Sequence, residues 1–120
     1  MGPMSRPDDT ETTPTELTEL EGLLAAYAVS MLSTRSAELV EVAGRLRDLG
    51  VPRWLLDTIR RGAGRWTVCD DDRVDAIVGY AARRGRAPEW IVDRDLEQLR
   101  AVGLTDFDVA DLNNIVAYYR

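Results

Sequence analysis

Few side chains in this sequence have the types and spacing for chemistry. In residues 30–50, SMLSTRSAELVEVAGRLRDLG, Arg35 and Glu38 stand three positions apart and Glu41 follows. On a helix, residues three apart are surface neighbours, so Arg35 and Glu38 can pair. Such a pair in a pocket could hold a carboxylate or polarise a carbonyl; exposed to water it contributes only a few tenths of a kcal/mol. The exposed pair is the expectation. Arg35, Glu38 and Glu41 are nonetheless the candidate catalytic residues. The chain has no histidine, so acid–base work at neutral pH would fall to carboxylates with raised pKa values.

Cys69 is the sole cysteine and is followed by Asp70, Asp71 and Asp72. Neighbouring carboxylates raise a thiol pKa, which predicts an inert small hydrophobe and not a nucleophile. Consecutive aspartates at a helix start fan outward, so helix capping is expected there and no metal site. No cofactor is expected. Arg53, Arg60, Arg61 and Arg65 form one basic patch and ARRGR at 82–86 another. A helix, a glycine turn and a helix lie between 36 and 61, yet the second carries Trp54, Leu55, Leu56 and Ile59, too apolar for a DNA groove.

The elements that must position these groups read as helices. Residues 1–12 are polar and acidic, expected to be a disordered tail, with one all-α domain over 13–120. Thr13, Pro14 and Glu16 predict a helix start, and Leu17, Leu20, Leu23, Leu24, Tyr27, Ala28, Met31 and Leu32 predict one apolar face on a long helix. The next series, from Leu39 to Leu49, stops at Gly50, and Pro52 opens a short helix that ends before Gly62. Asp70, Asp71 and Asp72 introduce a fourth, closed by Gly85 and Pro88. Asp93 caps a fifth, stopped by Gly103, and Thr105 opens the last. LRDLGV at 46–51 and LRAVGL at 99–104 echo one another, suggesting a duplicated helical hairpin.

The net charge of −6 sits largely at one end: residues 1–21 hold six acids against Arg6 alone, and the remainder is close to neutral. This argues against general attraction to nucleic acid or anionic lipid. No apolar run reaches the roughly 20 residues of a membrane span, and no secretory signal opens the chain, so a reducing cytoplasm is the expected location. The opening Met-Gly-Pro before Met4 is left out of the fold.

Residues 28–62, AVSMLSTRSAELVEVAGRLRDLGVPRWLLDTIRRG, resemble the core helical hairpin of the alkylhydroperoxidase D-like and carboxymuconolactone decarboxylase superfamily, and residues 93–120 are similar to its second half. The resemblance implies an all-α bundle of about six helices that forms symmetric oligomers. It also implies a lost redox centre. Leu23 takes the place of the family's glutamate, Arg35 and Glu38 those of its two cysteines, and Val42 that of its histidine; a shift of one residue brings Glu41 to the histidine position and still supplies no thiol. The family continues for a further helical stretch where this sequence stops. A redox-inactive, non-catalytic structural or regulatory partner is therefore expected, as a homo-oligomer or with a paralogue. The alternative is a non-redox enzyme acting on a small organic acid or lactone through a charged pocket. Trp54, Trp66, Trp90, Phe107, Tyr118 and Tyr119 exceed what a small core absorbs, so some are expected to face a partner subunit.

Overall fold

The computed structural model describes residues 17–31, 36–62 and 68–120, and among these the fold is all-α. Six helices follow one another: α1 (Glu19–Ser30), α2 (Ser36–Asp48), α3 (Arg53–Gly62), α4 (Asp72–Arg86), α5 (Asp93–Ala101) and α6 (Asp106–Tyr119), with one 3-10 turn, Pro88–Trp90, between α4 and α5. The expected tail at 1–12 and the expected cap at Thr13 lie outside the described residues.

Helix α1 differs from its expected form in two ways. Leu17 and Thr18 are not helical; Thr18 is the N-cap, and its hydroxyl accepts the Glu21 N–H at 3.1 Å while Glu21 Oε1 accepts the Thr18 N–H at 3.0 Å. The sequence holds two Thr-x-x-Glu signals, at 13 and at 18, and the second sets this helix start. Nor does α1 bury one face. Ala25, Ala26, Ala28 and Val29 are as inaccessible as Leu24 and Tyr27, whereas Leu20 is exposed. A helix that is apolar all round belongs in the middle of a fold, and α1 packs against α2, α4 and α6.

The core accordingly has two parts, arranged about α1 and α4. Leu24 and Tyr27 of α1 join Val42 and Leu46 of α2, Leu56 and Ile59 of α3, and Val78 of α4. Ala25 and Val29 instead join Ile77 and Tyr80 of α4, Leu99 of α5, and Leu112 and Val116 of α6. Leu46, Ile59, Ile77, Leu99 and Leu112 are fully buried, each stabilising the fold by about 1.5–3 kcal/mol relative to an exposed side chain. Tyr80 reaches out of the second group to donate its hydroxyl to Asn113 Oδ1 at 2.7 Å.

The echo between 46–51 and 99–104 is a pair of identical helix stops. Gly50 N–H bonds Arg47 O at 3.0 Å and Val51 N–H bonds Leu46 O at 3.0 Å; Gly103 N–H bonds Arg100 O at 2.9 Å and Leu104 N–H bonds Leu99 O at 3.1 Å. Both glycines are left-handed, with φ of 89° and 102°. This is the Schellman arrangement, in which the residue after the glycine folds back against the last helical turn. The repeated letters follow from that local requirement at each stop.

Other boundaries follow expectation with small shifts. Asp71 caps α4, accepting the Arg73 and Val74 N–H groups at 3.0 and 3.1 Å. Gly85 does not end that helix, which runs through Arg86. Asp93 is the first residue of α5 and not its cap; Asp95 reaches back to the Val92 N–H at 3.0 Å. Thr105 caps α6 as expected, in reciprocal bonds with Asp108, whose Oδ1 also takes the Leu17 N–H at 3.1 Å and ties the start of the described chain to α6.

Candidate functional site

Of the three sequence candidates, Arg35 lies outside the described residues. Glu38 is half-buried in the first turn of α2, and Glu41 is exposed further along it. Neither glutamate lines the cavity that the same helix helps to build. That cavity is a groove of about 520 Å³ between α2 and α3. One wall is the α2 stripe Leu39, Val40, Ala43 and Arg47, and the other is the α3 stripe Arg53, Leu56, Asp57 and Arg60. The steps of four along α2 and of three and four along α3 place each set on one helix face. Tyr27 of α1 forms the floor.

The walls meet at the glycine stop, where Arg47 and Arg53 stand closest to the turn, and Arg60 stands on the last turns of α3. The middle is apolar. Ala43, small at the centre of its stripe, leaves the space. Tyr27 is almost wholly buried, and burial pushes its phenol above the ordinary value of 10.0; Arg60, through its charge and a hydrogen bond, and Arg47 pull it partly back, while Asp57 adds to the rise. Tyr27 therefore stands in this groove as a neutral donor at physiological pH.

Arg45, Arg73, Arg83 and Arg100 make ion pairs with Glu19, Glu21, Asp95 and Asp106. Among the described residues, Arg47, Arg53 and Arg60 make no ion pair within 4 Å. Among the described residues the groove thus gathers three arginines outside any ion pair, with Asp57 as the acid on its walls, in a chain whose acids outnumber its arginines, 21 to 15. Reasoning from the sequence singled out Arg53 and Arg60 as a basic patch but not their stripe with Leu56 and Asp57, nor the facing stripe at 39, 43 and 47, although both spacings are present in the letters.

A second polar cluster went unread because its members are 52 residues apart. Arg73 Nε donates to Glu21 Oε2 at 2.6 Å, Nη2 to Glu21 Oε1 at 3.2 Å and Nη1 to the Val102 carbonyl at 3.2 Å. It joins the starts of α1 and α4 to the end of α5. Its role is structural, since every group in it faces another element of the fold.

Cys69 is half-buried beside the α4 cap. Burial is the largest cause pushing its thiol above 9.0; hydrogen bonding with the Asp71 backbone opposes the rise, and the charges of Asp75, Asp71 and Asp70 add to it. The direction is the expected one, with burial ahead of the aspartates as its cause. Asp71 is engaged as a cap and Asp75 accepts the Val68 N–H at 2.7 Å. Among the described residues no group of three or more His, Cys, Asp or Glu side chains is placed to hold a metal ion.

No family model, no curated protein and no solved structure matches this chain. In the register of the resemblance drawn above, Leu23 and Val42 stand at the glutamate and histidine positions, and both are buried in the first core group.

Proposed function

We propose that this chain is a non-catalytic helical module that works by association, a redox-inactive protein of alkylhydroperoxidase D-like form acting as a structural or regulatory partner. The observation that carries this reading is the outer face of α6. Phe107, Ala110, Asp111, Asn114, Ala117 and Tyr118 are all exposed, with Phe107 at 84 % and Tyr118 at 67 %. Their spacing is that of one continuous helix stripe, with a ring at each end and alanines between. Bare rings of this size are characteristic of the centres of interfaces.

The stripe is self-complementary. Two copies of α6 laid antiparallel, with residue 112 of each at the same level, set Phe107 against Ala117 of the partner subunit and Ala110 against Asn114 of the partner subunit. In these two layers a larger side chain meets a smaller one, and the same patch serves both subunits, as in a two-fold interface. Among the described residues no helix is long and apolar enough to cross a membrane. A reducing cytoplasm belongs to this reading, since the one cysteine has no internal partner.

Light scattering behind a sizing column tests it. The chain should give a mass well above 13.4 kDa, and Ala110→Glu, which places charge and bulk in the seam without touching the core, should give that of one chain with an unchanged helical signal. A single-chain mass for the unaltered protein at micromolar concentration would refute the reading.

A further inference from the structure

The geometry points to the α2–α3 groove as a binding site for a small organic oxyanion, a carboxylate or phosphate carried on an apolar body. Charge and shape argue for this occupant separately. Among the described residues, Arg47, Arg53 and Arg60 bring three positive charges to one cavity against the one carboxylate of Asp57. Like charges that a single aspartate offsets only in part repel one another, and an oxyanion bonded by guanidinium groups relieves that repulsion through strong, charge-assisted hydrogen bonds. The Tyr27 hydroxyl adds a neutral donor at the floor, beside Arg60.

The remaining lining cannot be satisfied by an inorganic ion. Leu39, Ala43 and Leu56 make an apolar middle, and Val40 at its edge is 68 % exposed. A ligand with a ring or branched chain covers that surface while its anionic end meets the arginines. The volume of about 520 Å³ falls within the range of small-molecule pockets. Both walls run from the turn at 49–52, with Arg47 and Arg53 the lining residues nearest to it. The site lies on α2 and α3, apart from the α6 face invoked for association, so the two readings stand or fall separately.

The test is amide NMR of the whole isotopically labelled chain, titrated in turn with phenylacetate, phenyl phosphate, 2-phenylethanol and acetate. Phenylacetate or phenyl phosphate should saturate with shifts centred on Ala43, Arg47 and Arg60, and the tighter of the two identifies the head group. The neutral alcohol and the bodiless acetate should each bind about tenfold more weakly or worse. Arg60→Gln, at an exposed position, should weaken the phenyl anion about tenfold. Ala43→Leu, which fills the middle and keeps every charge, should abolish binding while the spectrum stays dispersed. Equal response to 2-phenylethanol, absence of saturation by either phenyl anion, or indifference to Arg60→Gln would each overturn the assignment.

Discussion

Replacing Glu21 by glutamine keeps the shape of the side chain and leaves an oxygen for the Thr18 N–H, but removes the charge that Arg73 grips through two nitrogens. The Glu21 side chain is 10 % exposed and that of Arg73 18 %. Breaking a fully buried pair from one side costs about 3–5 kcal/mol because the surviving charge is stranded. Here water reaches part of the guanidinium and the Val102 carbonyl still accepts from it, so about 2–3 kcal/mol is expected. Arg73→Met should cost a similar amount by stranding the carboxylate. The double variant should recover much of the loss, since neither charge is then left without its partner, giving a coupling of about 1.5 kcal/mol or more. Urea unfolding followed by the helical signal measures all four proteins of the cycle. Single losses below about 1 kcal/mol with coupling near zero would show that the three-helix junction is held by apolar packing, and the reasoning would fail.

Gly50→Ala meets no atom within 4 Å of the new Cβ, so its cost is that of the left-handed backbone alone, about 1–2 kcal/mol, or roughly 4 °C per kcal/mol in the melting midpoint. Ala28→Leu, at a fully buried position of α1, should overpack the first core group by about 1–3 kcal/mol, measured the same way; a neutral result would mean that α1 has a loose side there. Because the folded pKa of Tyr27 lies above its unfolded value of 10.0, its contribution to stability is complete below pH 10 and is lost as pH rises through the folded value; Tyr27→Phe should flatten that alkaline limb of the stability profile. Cys69, raised above 9.0, should alkylate with iodoacetamide more slowly than a free cysteine at the same pH, with the rate still climbing above pH 9, where that of a free cysteine levels off. Association through α6 joins chains of net charge −6, so added salt should strengthen it, as the sizing-column mass would show.

The helix ends that could be read from the letters are those decided by contacts within a few residues. Gly50 and Gly103 supply a left-handed turn that other residues resist, and Thr105 and Asp71 offer side-chain oxygens to the free N–H groups just after them. Both devices act within one turn of helix, so the composition there suffices, and six helices follow from it. The cap at Thr18 was not of that kind. Glu21 completes the cap at Thr18 while Arg73, 52 residues away, holds the same carboxylate, and Asp108 anchors Leu17 from 91 residues away. A sequence window around residue 18 contains neither partner.

The position of α1 likewise depended on the other helices. Ala25 and Ala26 stand outside the apolar series that the sequence shows, yet with Ala28 they let α2, α4 and α6 approach from separate sides and so convert a one-faced helix into the centre of the fold. The groove has the same origin. Its two stripes are legible along α2 and α3, but whether such stripes meet as a closed seam or stand apart as a cavity is set by the angle of the connecting turn and by Tyr27 beneath them. Local hydrogen bonding and residue conformation determined the helices; only long-range packing decided which faces were covered, which of the described arginines were left outside ion pairs, and which rings of α6 remained in water.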